Sequence, residues 1–214
     1  MTEQVKNKGG RPKKDPNTLS VNAQQKQEII RCGRDPIYFI NTYVFIQHVR
    51  KGRLKFKTFE YQDNIIRELQ TGNDVITNKS RQLGLSTVTA AYALWLILFH
   101  RDKNVLVIAT KLGVAQNFMK KVFYAYDRLP KWLMLSAEKS RTKTELGLKN
   151  GSQVKAIPTS VDAGRSEALS LVVIDECVTG DTEIVLRNTA SDTVGARTIE
   201  SLFEELSVPQ QISP

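Results

Sequence analysis

Cysteine is scarce in this 214-residue chain, with only Cys32 and Cys177. Two cysteines make no disulfide framework of the kind that staples small secreted domains. Long hydrophobic runs are missing too. The longest apolar stretch, Ala90–Phe99 (AAYALWLILF), falls well short of the roughly 20 residues that a bilayer-spanning helix needs. The N-terminus is polar and basic, unlike a secretory signal, and no internal repeat is visible. These absences argue against a membrane protein, a secreted scaffold and a wholly disordered chain. At 41% hydrophobic and 25% charged residues, the composition suits one domain with a sizeable core, or one domain plus a fragment.

Acidic residues are also in deficit, and unevenly so. The chain has 31 Lys+Arg against 22 Asp+Glu, a net +9. Residues 1–176 hold 29 basic and 16 acidic side chains (+13), and residues 177–214 hold 2 and 6 (−4). A basic body suits a polyanionic partner through phosphate neutralisation and counterion release, although surplus charge also serves plain solubility. The change of sign at 177 suggests that two different modules meet there.

Residues 1–20 have the composition of a disordered basic arm. Its Gly10-Arg11-Pro12-Lys13-Lys14 resembles the core of an AT-hook, which inserts Arg into a narrow minor groove; a nonspecific solvated tail has the same composition. Helices are expected over Ala23–Ile30, after the Asp35-Pro36 turn, and over Glu60–Leu69, with a basic loop or hairpin at Arg50–Lys57 (RKGRLKFK). The chain then alternates: strand Asp74–Asn78, helix Ser86–His100, strand Asn104–Thr110, helix Val114–Leu129, a Gly-turned hairpin-like piece over Leu146–Pro158, and strand Ser170–Asp175. That order predicts an α/β fold, a parallel sheet with helices on both faces.

Three segments carry chemistry. Lys79-Ser80-Arg81-Gln82-Leu83-Gly84-Leu85-Ser86-Thr87 joins a predicted strand to a predicted helix, the context in which backbone N–H groups cradle phosphates. In the pattern G-x-x-x-x-G-K-[ST], Gly84 is the second glycine and Ser86 the hydroxyl that meets Mg2+. Lys79 replaces the first glycine and Leu85 replaces the lysine. A strand-to-helix turn with a stray lysine would look similar. Leu171-Val172-Val173-Ile174-Asp175-Glu176 has the form of a Walker B strand. There Asp175 would hold Mg2+ largely through water, and Glu176 would orient and deprotonate the attacking water. In Phe59-Glu60-Tyr61-Gln62, the Gln62 amide can read an adenine edge while an aromatic ring packs on the base. The order of the three is more specific than any one of them.

Over roughly residues 30–176 the chain resembles the N-terminal ATPase domain of the large terminase subunit of tailed phages. The resemblance rests on Asp35–His48 (DPIYFINTYVFIQH), Phe59–Gln62, SRQLGLST, Thr110-Lys111 and GRSEALSLVVIDE up to Glu176. It implies a P-loop NTPase-like sheet, incomplete here, that binds ATP and Mg2+. Tyr61, Gln62, Lys79, Ser80, Arg81, Gln82, Gly84, Ser86 and Thr87 would bind nucleotide. Lys79 and Arg81 would supply charge to the phosphates, with Arg81, Asp175 and Glu176 catalytic and Ser86 and Asp175 on the metal. Implied partners are double-stranded DNA, the small terminase subunit and the portal protein, in the cytoplasm of the infected bacterial host. A helicase-like ATPase, or a nonenzymatic DNA-binding protein using GRPKK and the basic loop, is the alternative.

From Cys177 the text changes. Cys177-Val178-Thr179-Gly180-Asp181-Thr182-Glu183-Ile184 resembles the first block of an intein, C-x-x-G-D-T-x-[IV], and residues 197–206 resemble the helix that follows in many inteins. In the terminase family a Cys commonly follows the Asp-Glu pair, so an intein placed there leaves a nucleophile at its downstream junction. The resemblance implies that the Cys177 thiol attacks the Glu176 carbonyl to form a thioester. The Thr-x-x-His block is missing, since His48 and His100 are the only histidines and both lie upstream. Residues 177–214 therefore read as an N-terminal intein fragment, short and β-rich, to be completed by a C-terminal terminase/intein piece or left as a truncated gene. Residues 21–176 read as the ATPase part, and Cys32 as a buried structural thiol.

Overall fold

The computed structural model describes residues 21–48, 50–77, 83–160, 168–175, 183–188, 193–198 and 201. Helix α1 (Ala23–Arg34) opens on a capping box: the Asn22 side chain accepts from the Gln25 N–H, and the Gln25 side chain accepts from the Asn22 N–H. Each bond satisfies an amide that the helix leaves without a partner. One residue after α1, Asp35 caps α2 (Pro36–Tyr43) by accepting from the Tyr38 N–H at 2.9 Å, with Pro36 in the first turn. The two helices are tied by Glu28, whose Oε2 accepts from the hydroxyls of Tyr38 (3.0 Å) and Tyr43 (2.9 Å). Burial, reinforced by that carboxylate, pushes the Tyr43 phenol well above its usual range.

The basic segment after α2 is an antiparallel hairpin, β1 (Phe45–His48) with β2 (Gly52–Lys55), in the register Phe45 to Lys55 and Gln47 to Arg53. Helix α3 (Glu60–Thr71) ends at Gly72, which takes the left-handed conformation (φ 80°) that a C-terminal glycine supplies. Residues 73–77, where the β-branched run predicts a strand from Asp74, are irregular instead, with Ile76 72% exposed. A strand holds only when its backbone groups find a partner, and among the described residues this segment has no strand beside it.

Helix α4 (Leu85–Phe99) is apolar on nearly every side, the mark of a helix buried all round. It packs against α2, α3, the sheet and helix α5 (Leu112–Tyr126). The main sheet has the order β4-β5-β6-β3-β7, from β4 (Glu138–Arg141), β5 (Glu145–Leu148), β6 (Gln153–Pro158), β3 (Asn104–Ala109) and β7 (Leu171–Asp175). Central β3 is parallel to both β6 and β7, whereas β4, β5 and β6 form an antiparallel wing. The sheet is therefore mixed: the strand–helix alternation predicts its parallel part, and the Gly-turned piece becomes the β5–β6 hairpin. Polar β4 carries no such signal and forms because it pairs with β5.

Val105, Val107 and Ala109 share one continuous core with the buried faces of α4 and α5. The neighbouring positions alternate to the opposite face, where Val172 and Ile174 are 45% and 57% exposed. Among the described residues the helices thus gather on one face. Trp95 is buried in the core with its indole N–H satisfied by the Cys32 carbonyl at 2.8 Å, and Cys32 is fully buried as expected. A last hairpin pairs β8 (Glu183–Asn188) with β9 (Thr193–Thr198). Arg197 and Thr198, expected to begin a helix, end a strand instead, because each pairs across to β8. No helix among the described residues is long and apolar enough to cross a membrane.

Candidate functional site

Helix α4 joins β3 through residues 100–103 alone and packs back on it, so the two run antiparallel. Fifteen helical residues rise roughly 22 Å, and six strand residues extend roughly 20 Å. The helix N-terminus therefore lies near the carboxyl ends of β3 and β7. That is where ligands sit in open α/β sheets.

Gly84 makes the entry. Its φ of 72° is left-handed, and its carbonyl accepts from both the Thr87 and Val88 N–H at 3.0 Å. The Leu85 and Ser86 amides come earlier still, at the positions a helix cannot satisfy internally, where an anion is best placed. A Cβ on Gly84 would sit 3.0 Å from Gln62 Nε2 in addition to straining that φ. Ser86 and Thr87 are half-buried in the first turn, and Leu85 points into the core at 8% exposure. The lysine position of the usual pattern thus carries a packed apolar side chain.

The start of α3 holds this loop from the side. Tyr61 Oη donates to the Leu83 carbonyl at 2.8 Å, and Gln62 Nε2 donates to the same oxygen at 2.9 Å. Gln62 Oε1 accepts from the Phe59 N–H at 3.1 Å, so its amide bridges the helix start and the loop. At 2% exposure, Gln62 is embedded between them. Beside it the Phe59 and Tyr61 rings stack at 5.7 Å and 7°, exposed at 64% and 39%. A base arriving here would meet that aromatic surface before the Gln62 amide. Phe59 is the residue that motif reading undervalued: its signal was an aromatic two positions before Tyr61, at the helix start.

Asp175 ends β7 in register with Ala109 at the end of β3. The next strand closes over the same edge, since the Thr159 N–H and hydroxyl both donate to the Ala109 carbonyl, at 2.8 and 3.2 Å. The structure thus brings Tyr61, Gln62 and Gly84 together and places Ser86 and Thr87 in the turn that follows, with Asp175 on the strand edge beneath. Lys79, Ser80, Arg81, Gln82, Glu176 and Cys177 lie outside the described residues.

No protein-family model matches the chain. Among the described residues no group of three or more His, Cys, Asp or Glu converges as a metal cage would. Magnesium bound with a nucleotide needs no such cage, because it keeps water and phosphate oxygens beside one or two protein oxygens. The Ser86 hydroxyl and Asp175 carboxylate are donors of that type. A left-handed glycine ahead of the first turn of a helix suits a phosphate group.

Proposed function

We propose that the chain is the N-terminal part of a large terminase subunit, the ATP-driven motor that packages double-stranded DNA, followed after Glu176 by the N-terminal part of an intein. The proposal includes a P-loop NTPase-like fold for residues 21–176 and places the protein in the cytoplasm of an infected bacterium. The observation that carries it is the loop at Gly84, tethered by Tyr61 and Gln62 and opening α4 above the strand that ends in Asp175. In this reading Ser86 and Asp175 hold Mg2+, which neutralises phosphate charge. The loop amides and the cations Lys79 and Arg81 bind the phosphates, the Phe59–Tyr61 surface takes the base, and Glu176 removes a proton from water. Cys177 begins splicing when its thiol attacks the Glu176 carbonyl: a thioester forms, the Glu176–Cys177 peptide C–N bond breaks, and the Cys177 nitrogen takes up the proton as a free amine. The joined protein would work with the small terminase subunit and the portal protein.

Two measurements test this. Fluorescence of a labelled ATP analogue should respond to the chain in a Mg2+-dependent way and lose that response in Ser86→Ala. Turnover should be slight, because intein sequence stands directly after the catalytic acid; robust turnover abolished by Glu176→Gln would overturn that part. Intact mass after co-expression with a matching downstream piece should show residues up to 176 ligated to it. Unchanged mass, equally unchanged in Cys177→Ala, would reject splicing. One observation favours a second reading, a DNA-binding protein that no longer hydrolyses ATP: Leu85 is buried where the usual pattern has its lysine. In that case the labelled analogue would give no response.

A further inference from the structure

An amide that selects adenine must present a donor and an acceptor side by side to the base edge, as Asn and Gln do when they read adenine in DNA. Among the described residues, the amides that bond to the start of α3 are Gln62 and Asn41, and neither has that pair to offer. Gln62 Nε2 directs one proton at the Leu83 carbonyl (2.9 Å) and the other toward Tyr61 Oη at 3.4 Å. Its Oε1 accepts from the Phe59 N–H at 3.1 Å. Turning the amide over would set an oxygen against the Leu83 carbonyl and an N–H against the Phe59 N–H, so the partners fix its orientation. At 2% exposure, Gln62 presents no edge to a base.

Asn41 is committed in the same way. Its Nδ2 donates to the Ile37 carbonyl (3.0 Å) and to Thr58 Oγ1 (2.7 Å), and its Oδ1 accepts from the Thr58 N–H at 2.9 Å. Glu60, exposed at the first helical position, only accepts when ionised. Adenine and guanine both carry an exocyclic amine, so a carboxylate finds a donor on either. Asp63 Oδ1 has no partner but is closed to solvent. What faces outward is ring: Phe59 and Tyr61 lie parallel within 7°, their centroids 5.7 Å apart, and are 64% and 39% exposed.

We infer that the nucleotide site at Gly84 takes purine nucleoside triphosphates without distinguishing adenine from guanine. An aromatic surface holds any base by its face, and a two-ring base covers more of it than a one-ring base. Discrimination by roughly 10⁴ or more arises where the wrong substrate leaves a buried polar group unpaired. Here the buried amide is already paired with the protein itself. Gln62 then sets the place of Leu83 and Gly84 for every base alike. The inference rests on the nucleotide reading of this loop and adds its substrate class.

The test is displacement of a ribose-labelled ATP analogue from the full chain, with Mg2+, by ATP, GTP, CTP and tripolyphosphate. ATP and GTP should displace it at concentrations within about tenfold of each other. CTP should need more, and tripolyphosphate, which has no base, about tenfold more than ATP or beyond. Phe59→Ala keeps the backbone N–H from which Gln62 accepts and should weaken ATP and GTP by the same factor, about tenfold. Gln62→Glu, checked as folded by its thermal melt, should move both together and leave their ratio unchanged. A preference for either purine beyond about tenfold, a ratio that shifts in Gln62→Glu, or tripolyphosphate as effective as ATP would each overturn the inference while leaving a phosphate-binding loop in place. No signal from the labelled analogue in the parent chain would reject the nucleotide reading itself, and the inference with it.

Discussion

Replacing Gln62 with Glu asks whether the loop at Gly84 is held by a donor. The carboxylate keeps the acceptor that receives the Phe59 N–H, now at 3.1 Å, but loses the Nε2 donor that reaches the Leu83 carbonyl at 2.9 Å. One lost hydrogen bond costs about 1 kcal/mol net. Leu83 is 37% exposed and keeps the Tyr61 hydroxyl, so the penalty on its carbonyl stays small. The larger effect is a carboxylate at a position 2% exposed, facing a carbonyl oxygen; the total should reach about 2–3 kcal/mol at neutral pH. Burial raises such a carboxyl's pKa, so the folded variant binds its proton more tightly than the unfolded chain. Stability is then recovered as pH falls from 7 toward roughly 4.3, where the unfolded carboxyl protonates as well. Protonation also restores a donor toward Leu83. Urea unfolding of parent and variant between those pH values measures the difference. Hydrogen exchange of the Thr87 and Val88 amides, which donate to Gly84 O, reports on the loop itself. A deficit that does not change with pH, or unchanged protection of those two amides, would refute the tether.

Tyr61→Phe removes the hydroxyl's bond to the Leu83 carbonyl and its long 3.4 Å acceptance from Gln62 Nε2, and should cost about 0.5–1 kcal/mol by urea unfolding. Asn150→Ala should cost more, about 2–3 kcal/mol, because its side chain donates to the Ile97 and His100 carbonyls at the end of α4 and accepts from the Ser152 N–H. Arg141→Ala breaks a two-point ion pair with Asp127 (2.7 and 2.8 Å) and a contact over Phe123. Both partners are more than a third exposed, so the loss should be only about 0.5–1 kcal/mol and should shrink with salt. Burial, with the Glu28 charge behind it, pushes the Cys32 thiol from 9.0 up to about 12. In a Cys177→Ala background the folded chain should resist a thiol reagent at about pH 8 and react once urea unfolds it.

Much of the fold was legible because its signals are local. The Asp35-Pro36 turn that opens α2, the glycine at 84 that opens α4 and the continuous apolar strands at 104–109 and 171–175 each announce themselves within a few residues. Elements that depend on distant partners were not. Polar β4 gains its order from pairing with β5, and nothing in Glu138–Arg141 alternates apolar with polar. The run from Asp74 has strand-forming residues but no neighbouring strand among the described residues, and propensity alone does not hold a strand. At 197–198 cross-strand pairing outweighed a helical-looking stretch.

The site follows the same division, one level up. A left-handed Gly84 opening α4 was implicit in the loop pattern, since glycine alone takes that conformation without strain. The Tyr-Gln pair was visible as well, but its attachment was not. A side chain chosen for what its amide could read turns out to be buried and bonded to the loop backbone twenty-one residues away. The two roles are compatible only through the loop: Gln62 can influence a base by setting where Leu83 and Gly84 sit, while the stacked Phe59 and Tyr61 rings supply the surface. In the proposed nucleotide site Gln62 would then be a positioning residue, and its substitution should change nucleotide affinity and loop protection together. Substitution of Phe59, 64% exposed, should change affinity alone.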